Sequence, residues 1–303
     1  MTDMPLQSPG ALRRLWHQPV ARAAIAVIVL VTLAAIIGPS CLPPAAREVS
    51  NTQFSPPSLT HLFGTDLEGR DLFYRVLQGA RISLIVGFSG AFISFFIGTA
   101  YGLIAGYVGG RADAIMMRAV EILYSIPRLI IVLIAISTFN NHFRDALNTL
   151  GLTSLVASSR ILILILCLGL IEWLTMARIV RGQVLSLKAR QFVAAARSLG
   201  QSHTKILVRH LLPNLLGIIV VYLTLTVPAV ILDESFLSFL GLGIQPPQSS
   251  WGSLLSEAAE VINPVHSNWW LLAFPALAMC LTLLSLNFLG DSIREAIDPR
   301  ARR

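Results

Sequence analysis

Residues Phe192–Pro213 read FVAAARSLGQSHTKILVRHLLP, a polar and basic stretch wedged between two long apolar runs. Its cations and its position between apolar runs place it on the cytoplasmic side of a membrane. Small residues come first, at Ala195 and Ala196, then Gly200, then an apolar helical pattern at Ile206, Leu207 and Leu211 that ends in Leu212, Pro213 and Asn214. The order reads helix, break, helix. Alanines allow a partner surface to approach the first helix closely, Gly200 permits the φ > 0 turn that ends it, and Pro213 resets the chain before the next apolar run. Such a hairpin has the build of a plug that docks into another protein.

The flanking runs set the fold class. The chain has 303 residues, 54% of them hydrophobic and only 13% charged, and a mean hydropathy of +0.70, far from the soluble average. This is the composition of an all-α integral membrane protein, because apolar runs this long satisfy their backbone groups only as helices. Six transmembrane helices are expected, over Ala23–Leu42, Ser83–Tyr107, Ala119–Phe139, Ile161–Val180, Leu215–Leu232 and Trp269–Leu289. Arg118, Glu121, Pro127 and Arg128 interrupt the third, which reads as an amphipathic start, a proline kink and an apolar run from Leu129. The resulting organisation is a cytoplasmic tail 1–22, a first span 23–42, an extracytoplasmic loop 43–82 with an interfacial helix Leu72–Gly79, a five-span core 83–290 carrying the loop 181–214, and a tail 291–303.

Charge orients the set. With the N-terminus inside, only Arg47, Arg70, Arg75, Arg81, Arg144 and Arg160 fall outside, whereas Arg13, Arg14, Arg22, Arg111, Arg118, Arg128, the cluster from Arg178 to Arg209 and the C-terminal arginines fall inside. This asymmetry makes both termini cytoplasmic. The pI of about 9.9 is therefore topological, and cations scattered over membrane flanks exclude a nucleic-acid reading. Arg13, Arg14 and Arg22 before the first run also suit a cleaved signal peptide, but the run is long and Gly38–Ser40 lacks the aliphatic residue expected before a lipidated Cys41.

Polar residues elsewhere are candidates of several kinds. GTDLEGRD, with Gly64, Thr65, Asp66, Gly69, Arg70 and Asp71, misses the spacing of a calcium loop. It reads as a turn in which the aspartates and glycines cap the chain and Arg70 pairs locally. Gly87, Gly90, Gly98, Gly102 and Gly106 make one face of the second span small, for close helix packing or for lining a path. Glu172 lies inside the fourth span, where an ionised carboxylate needs a partner or water. Arg178, six residues on, is not a single-helix pair for it, so another span or a hydrated cavity supplies the partner. Asp233 and Glu234 end the fifth span, and Phe236–Leu242 reads as a re-entrant or interfacial element too short to cross. Trp251–Ile262 suits an amphipathic helix. The sequence contains no phosphate-binding glycine loop, no nucleophile with a base and no clustered metal ligands, so no catalytic residue, metal or cofactor is assigned. The three cysteines, Cys41, Cys167 and Cys280, read as buried small hydrophobes.

Ala194, Ala195, Ala196, three residues, Gly200, nine residues, then His210, Leu212 and Pro213 resemble the cytoplasmic coupling loop of ABC-importer permeases, Glu-Ala-Ala-x3-Gly-x9-Ile-x-Leu-Pro. Ala194 replaces the glutamate, which leaves no carboxylate there for a salt bridge to the ATPase. His210 replaces the isoleucine, as in the Arg-His-x-x-Pro-Asn form of the peptide branch. GTDLEGRD, ARIVRGQVLSLK (177–188), ESFLSFLGLG (234–243) and NFLGD (287–291) extend the likeness over nearly the whole chain after Pro43, closest to the C-type permeases of oligopeptide and dipeptide importers. The resemblance implies a type I permease fold in the bacterial inner membrane. It also implies a homologous second permease subunit, two cytoplasmic ATPase subunits, an extracytoplasmic peptide-binding protein, and contact with membrane lipid. Related importers carry nickel chelates, glutathione or cationic peptides. A proton-coupled secondary transporter using Glu172 with Asp233 or Glu234, and a purely anchoring protein, are the readings outside the class.

Overall fold

Backbone groups that cannot reach water must pair within their own segment, and the apolar runs accordingly fold as helices. The structure, a computed structural model, describes residues 11–43, 46, 48–156, 158–261 and 267–297. Residues 1–10 of the first tail, Arg47, Ile262, His266 and the terminal 298–303 with Arg300, Arg302 and Arg303 lie outside the described residues. In chain order the helices are α1 (Ala11–His17), α2 (Pro19–Cys41), α3 (Leu72–Val108), α4 (Gly110–Ser125), α5 (Arg128–Thr149) and α6 (Thr153–Val156), followed by α7 (Ser159–Lys188), α8 (Gln191–Ser198), α9 (His203–Ile206), α10 (Leu212–Phe239), α11 (Trp251–Val261) and α12 (Trp269–Ile297).

Among the described residues five helical stretches are long and apolar enough to cross a membrane, His203–Phe239 being one unbroken run, and the bent pair α4 and α5 makes a sixth when counted as one span. The third span departs from a simple kink. Ile126 and Pro127 are extended, and α4 and α5 meet at 83°. Proline restricts the residue before it to extended backbone, which ends α4 rather than bending it. Four other expectations are corrected. The interfacial helix and the second span are one helix, α3, since Gly79 serves packing: a Cβ there would stand 3.1 Å from the backbone of Ser250 and Trp251. The fifth span does not end at Asp233 and Glu234 but continues to Phe239, so there is no separate re-entrant element. Nor does Pro213 interrupt the chain. A π-turn over Leu207–Leu211, closed by the Leu212 N–H on the Leu207 carbonyl, widens the helix just before the residue that lacks a donor. Cys41 and Cys280, expected to be buried, are exposed in the folded chain.

The described chain divides into two units, one of residues up to Ile85 with those from Glu234 on, the other Val86–Asp233. In the first, α2 packs along α12 and α1 lies against both. Leu72, Val76, Leu254, Ala258, Trp270 and Leu271 form a core beneath the loop that precedes α3. In the second, the glycine face of α3 is a close helix crossing. A Cβ at Gly98 would come 2.6 Å from Met176 Cβ, one at Gly102 2.5 Å from the Ala177 carbonyl, and one at Gly106 2.8 Å from Val184 Cβ, all on α7. In lipid, where apolar burial gives no net attraction, such backbone proximity is what holds helices together. Gly109 and Gly110, at φ 71° and 59°, then turn the chain from α3 into α4.

Candidate functional site

The hairpin after α7 is built on an apolar base. Val193 and Ala196 of α8, Ile206, Leu211, and Leu215 and Ile219 of α10 are buried together with Tyr107, Met176, Val180 and Val184. At the end of α8 the Gly200 N–H donates to the Arg197 carbonyl and the Gln201 N–H to the Ala196 carbonyl, the paired bonds of a glycine-terminated helix. Gly200 itself has φ 69° and open space around its Cα. Ser202 caps α9 by accepting from the Lys205 N–H.

Of the motif residues, Ala194, Ala195, Gly200 and Pro213 are exposed, His210 and Leu212 are half-buried, and Ala196 faces the base. His210 Nε2 lies 2.7 Å from Gln201 Oε1, and the Asn214 amide donates to the His210 carbonyl at 2.6 Å. Leu199 at the tip is 79% exposed, and Phe192 and Val208 of the hairpin are exposed as well. Sequence reading missed the anchor of the hairpin, Tyr107 at the end of α3. Its hydroxyl is 2.7 Å from His203 Nδ1, the Lys188 ammonium donates to its carbonyl, and the Arg197 guanidinium lies 5.5 Å from its ring. The contact between Tyr107 and His203 spans 96 residues, beyond any local pattern.

Glu172 finds its partner on another helix. Arg128, at the start of α5, reaches Glu172 Oε1 at 3.2 Å and Asp233 Oδ1 at 3.1 Å. Arg128, expected among the inner flanking cations, stands beside Glu172, midway along α7. A cleft of about 280 Å³ beside it is lined by Tyr124, Pro127, Arg128, Glu172 and Thr175, among others. Arg178 instead stacks on the Tyr124 ring at 3.8 Å, and the Tyr124 hydroxyl lies 2.5 Å from Thr175 Oγ1. Further along α7, Arg181 donates twice to Asp113 of α4, at 2.5 and 2.7 Å. Glu172 and Asp233 were both singled out in the sequence, and a partner for Glu172 was expected from another span or a hydrated cavity; that Arg128 serves both carboxylates was not legible.

Glu234 is not with them. It is fully buried and accepts hydrogen bonds from Ser83 at 3.0 Å, Ser238 at 2.7 Å and Ser235 at 3.3 Å. In GTDLEGRD, Asp66 accepts from the N–H groups of Glu68 and Arg70 and from the Arg70 side chain. Asp71 caps α3 by accepting from the Tyr74 N–H. Thr65 pairs with Asp71 in an isolated bridge, and Gly64 and Gly69 press on the Ser55 and Ser50 carbonyls. Asp66 also meets Arg75, which in turn binds Glu257 of α11 and Ser249. Among the described residues no three His, Cys, Asp or Glu side chains group as metal ligands.

The sequence model of the inner membrane component of binding-protein-dependent transport systems matches residues 98–303. The chain belongs to that family. An oligopeptide transport system permease protein OppC of Haemophilus influenzae is 43% identical over 295 residues, covering 96% of this chain and 88% of the relative. A dipeptide transport system permease protein DppC of Bacillus subtilis is 44% identical over 294 residues, covering 97% and 86%. A chain of the MetNI methionine ABC transporter, solved in inward-facing conformations, has a TM-score of 0.55 at 20% identity over 75% of this chain and 98% of its own. That likeness establishes the fold, an ABC-importer permease. The family member described here is thus a multi-pass membrane permease, not an enzyme.

Proposed function

We propose that the chain is the transmembrane subunit of an ATP-driven importer of short peptides and forms half of the translocation pathway. The near full-length likeness to relatives named for oligopeptide and dipeptide transport carries this reading. Both termini and the hairpin face the cytoplasm, and GTDLEGRD faces outward. A homologous permease completes the path, two ATPase subunits bind inside, and an extracytoplasmic peptide-binding protein delivers substrate. The hairpin enters a groove of the ATPase and moves with it as the nucleotide-bound dimer closes. Its exposed face of Ala194, Ala195, Leu199 and Gly200 over a buried apolar base suits that task, because a rigid base transmits displacement that a loose loop would absorb.

The test is purification of the complex from membranes, with uptake of a labelled tripeptide measured in proteoliposomes. Wild type retains an ATPase and imports only with ATP. Gly200→Glu places a charge and a left-handed non-glycine residue at the docking tip, and is expected to lose ATPase association while inserting normally. Unaltered association sinks the coupling assignment. Uptake that persists without ATP and collapses with a protonophore sinks the importer reading, and competition by a nickel chelate or glutathione but not by peptides moves the substrate class.

A further inference from the structure

Arg128, Glu172 and Asp233 come from three helices with a common relation to the hairpin. α7 runs from Glu172 into the hairpin, and α10 runs out of it to Asp233. Arg128 stands at the first position of α5, directly after the 83° break, and its one guanidinium holds both carboxylates. The other side of the break is fastened to α7 as well. Tyr124, two residues before Ile126, engages Thr175 and Arg178, and Asp113 near the start of α4 holds Arg181 by two bonds. Arg181 lies two turns before the end of α7 at Lys188, where the hairpin begins.

Apolar helix faces slide readily in lipid, because an acyl chain replaces a lost side-chain contact at little cost. Ion pairs do not. Arg128 is itself 55% exposed, but Glu172 and Asp233 are only 12% and 10% exposed, so drawing the guanidinium away leaves a near-buried carboxylate without its cation and resists separation of the three backbones at that level. The bidentate pair of Arg181 with Asp113 fixes the lower end of the same seam in register.

We propose that Arg128 is the joint through which displacement of the hairpin reaches the bent pair α4 and α5. The two helices that flank the hairpin converge on this one side chain, which ties both of them to the break. Arg128 is a positioning residue of the transport cycle: it touches neither the ATPase nor the hairpin tip. The inference rests on the hairpin being the site of ATPase docking.

The experiment measures ATP hydrolysis and labelled tripeptide uptake together in the reconstituted complex. Arg128→Gln is expected to retain the ATPase subunits and to hydrolyse ATP, with uptake per ATP reduced about tenfold. Arg128→Lys recovers part of the loss, since an ammonium reaches one carboxylate at a time. The triple variant Arg128→Gln, Glu172→Gln, Asp233→Asn carries no stranded charge yet lacks the joint, and is expected to stay uncoupled. Normal uptake per ATP in that triple variant would show that Arg128 merely neutralises two carboxylates, and would overturn the proposal. Unchanged uptake per ATP in Arg128→Gln overturns it too, as does failure of both the single and the triple variant to assemble. Gly200→Glu gives a different signature, loss of ATPase association, so the docking reading and this one fail visibly apart.

Discussion

Arg75 is 4% exposed yet keeps its charge, because Asp66, Glu257 and Ser249 surround the guanidinium. Arg75→Ala would leave two carboxylates facing an apolar gap. The expected loss is about 3 kcal/mol, at the low end for a broken buried pair because Glu257 stays more than one-third exposed. It is read as earlier thermal unfolding in detergent and faster trypsin cleavage of the loop before α3. Here the limits of sequence reading are clear. Arg70 with Asp66 was legible because the two are four residues apart and flanked by turn residues. Arg75 with Glu257 was not, because 182 residues separate them. Glu172 and Arg128 each stood out as charges in apolar runs. Their union with Asp233 depends on the direction α5 takes after Pro127, which no periodicity encodes.

At the level of helices, the small-residue spacing of Gly98, Gly102 and Gly106 announced a close crossing but not its partner, α7. Gly102→Leu should be expensive, since its first carbon already meets the Ala177 carbonyl at 2.5 Å. A loss of about 1–3 kcal/mol is expected, seen as a lower melting temperature and folded yield. Gly182→Ala on α7 has nothing within 4 Å and should change stability by no more than about 0.5 kcal/mol; equal losses in the two variants would refute the crossing as the source. Helix ends were legible where glycine supplies a left-handed turn, as at Gly200. They misled at prolines. Pro127 stops a helix outright while Pro213 is absorbed by a π-turn, and the difference lies in the turn before each proline rather than in the residue itself.

For the whole molecule, six spans were read from the apolar runs; among the described residues five helices are long and apolar enough to cross, and the third span is matched only when the bent pair is counted as one. Its weak signal has a physical cause: α4 carries Asp113, which holds Arg181 of α7, and the exposed pair Arg118 and Glu121, and these charges lower its mean hydropathy. Orientation was read from cation asymmetry alone, and it yields a direct prediction. In a chain with Cys41, Cys167 and Cys280 replaced by serine, Leu199→Cys should react with a membrane-impermeant maleimide in inside-out vesicles only. Leu59→Cys, at a position 99% exposed in the loop before α3, should react in right-side-out vesicles only. The reverse pattern would invert the proposed topology.

The bare tip of the hairpin carries one more consequence. Leu199, 79% exposed, is an oily knob at the tip, and Phe192 and Val208 are exposed elsewhere on the hairpin. If the hairpin docks an ATPase as proposed, a permease synthesised in excess of that subunit would display this knob to proteolytic surveillance. Its lifetime in the cell would then follow the supply of that companion, which makes balanced dosage of the two subunits part of the design of the transporter.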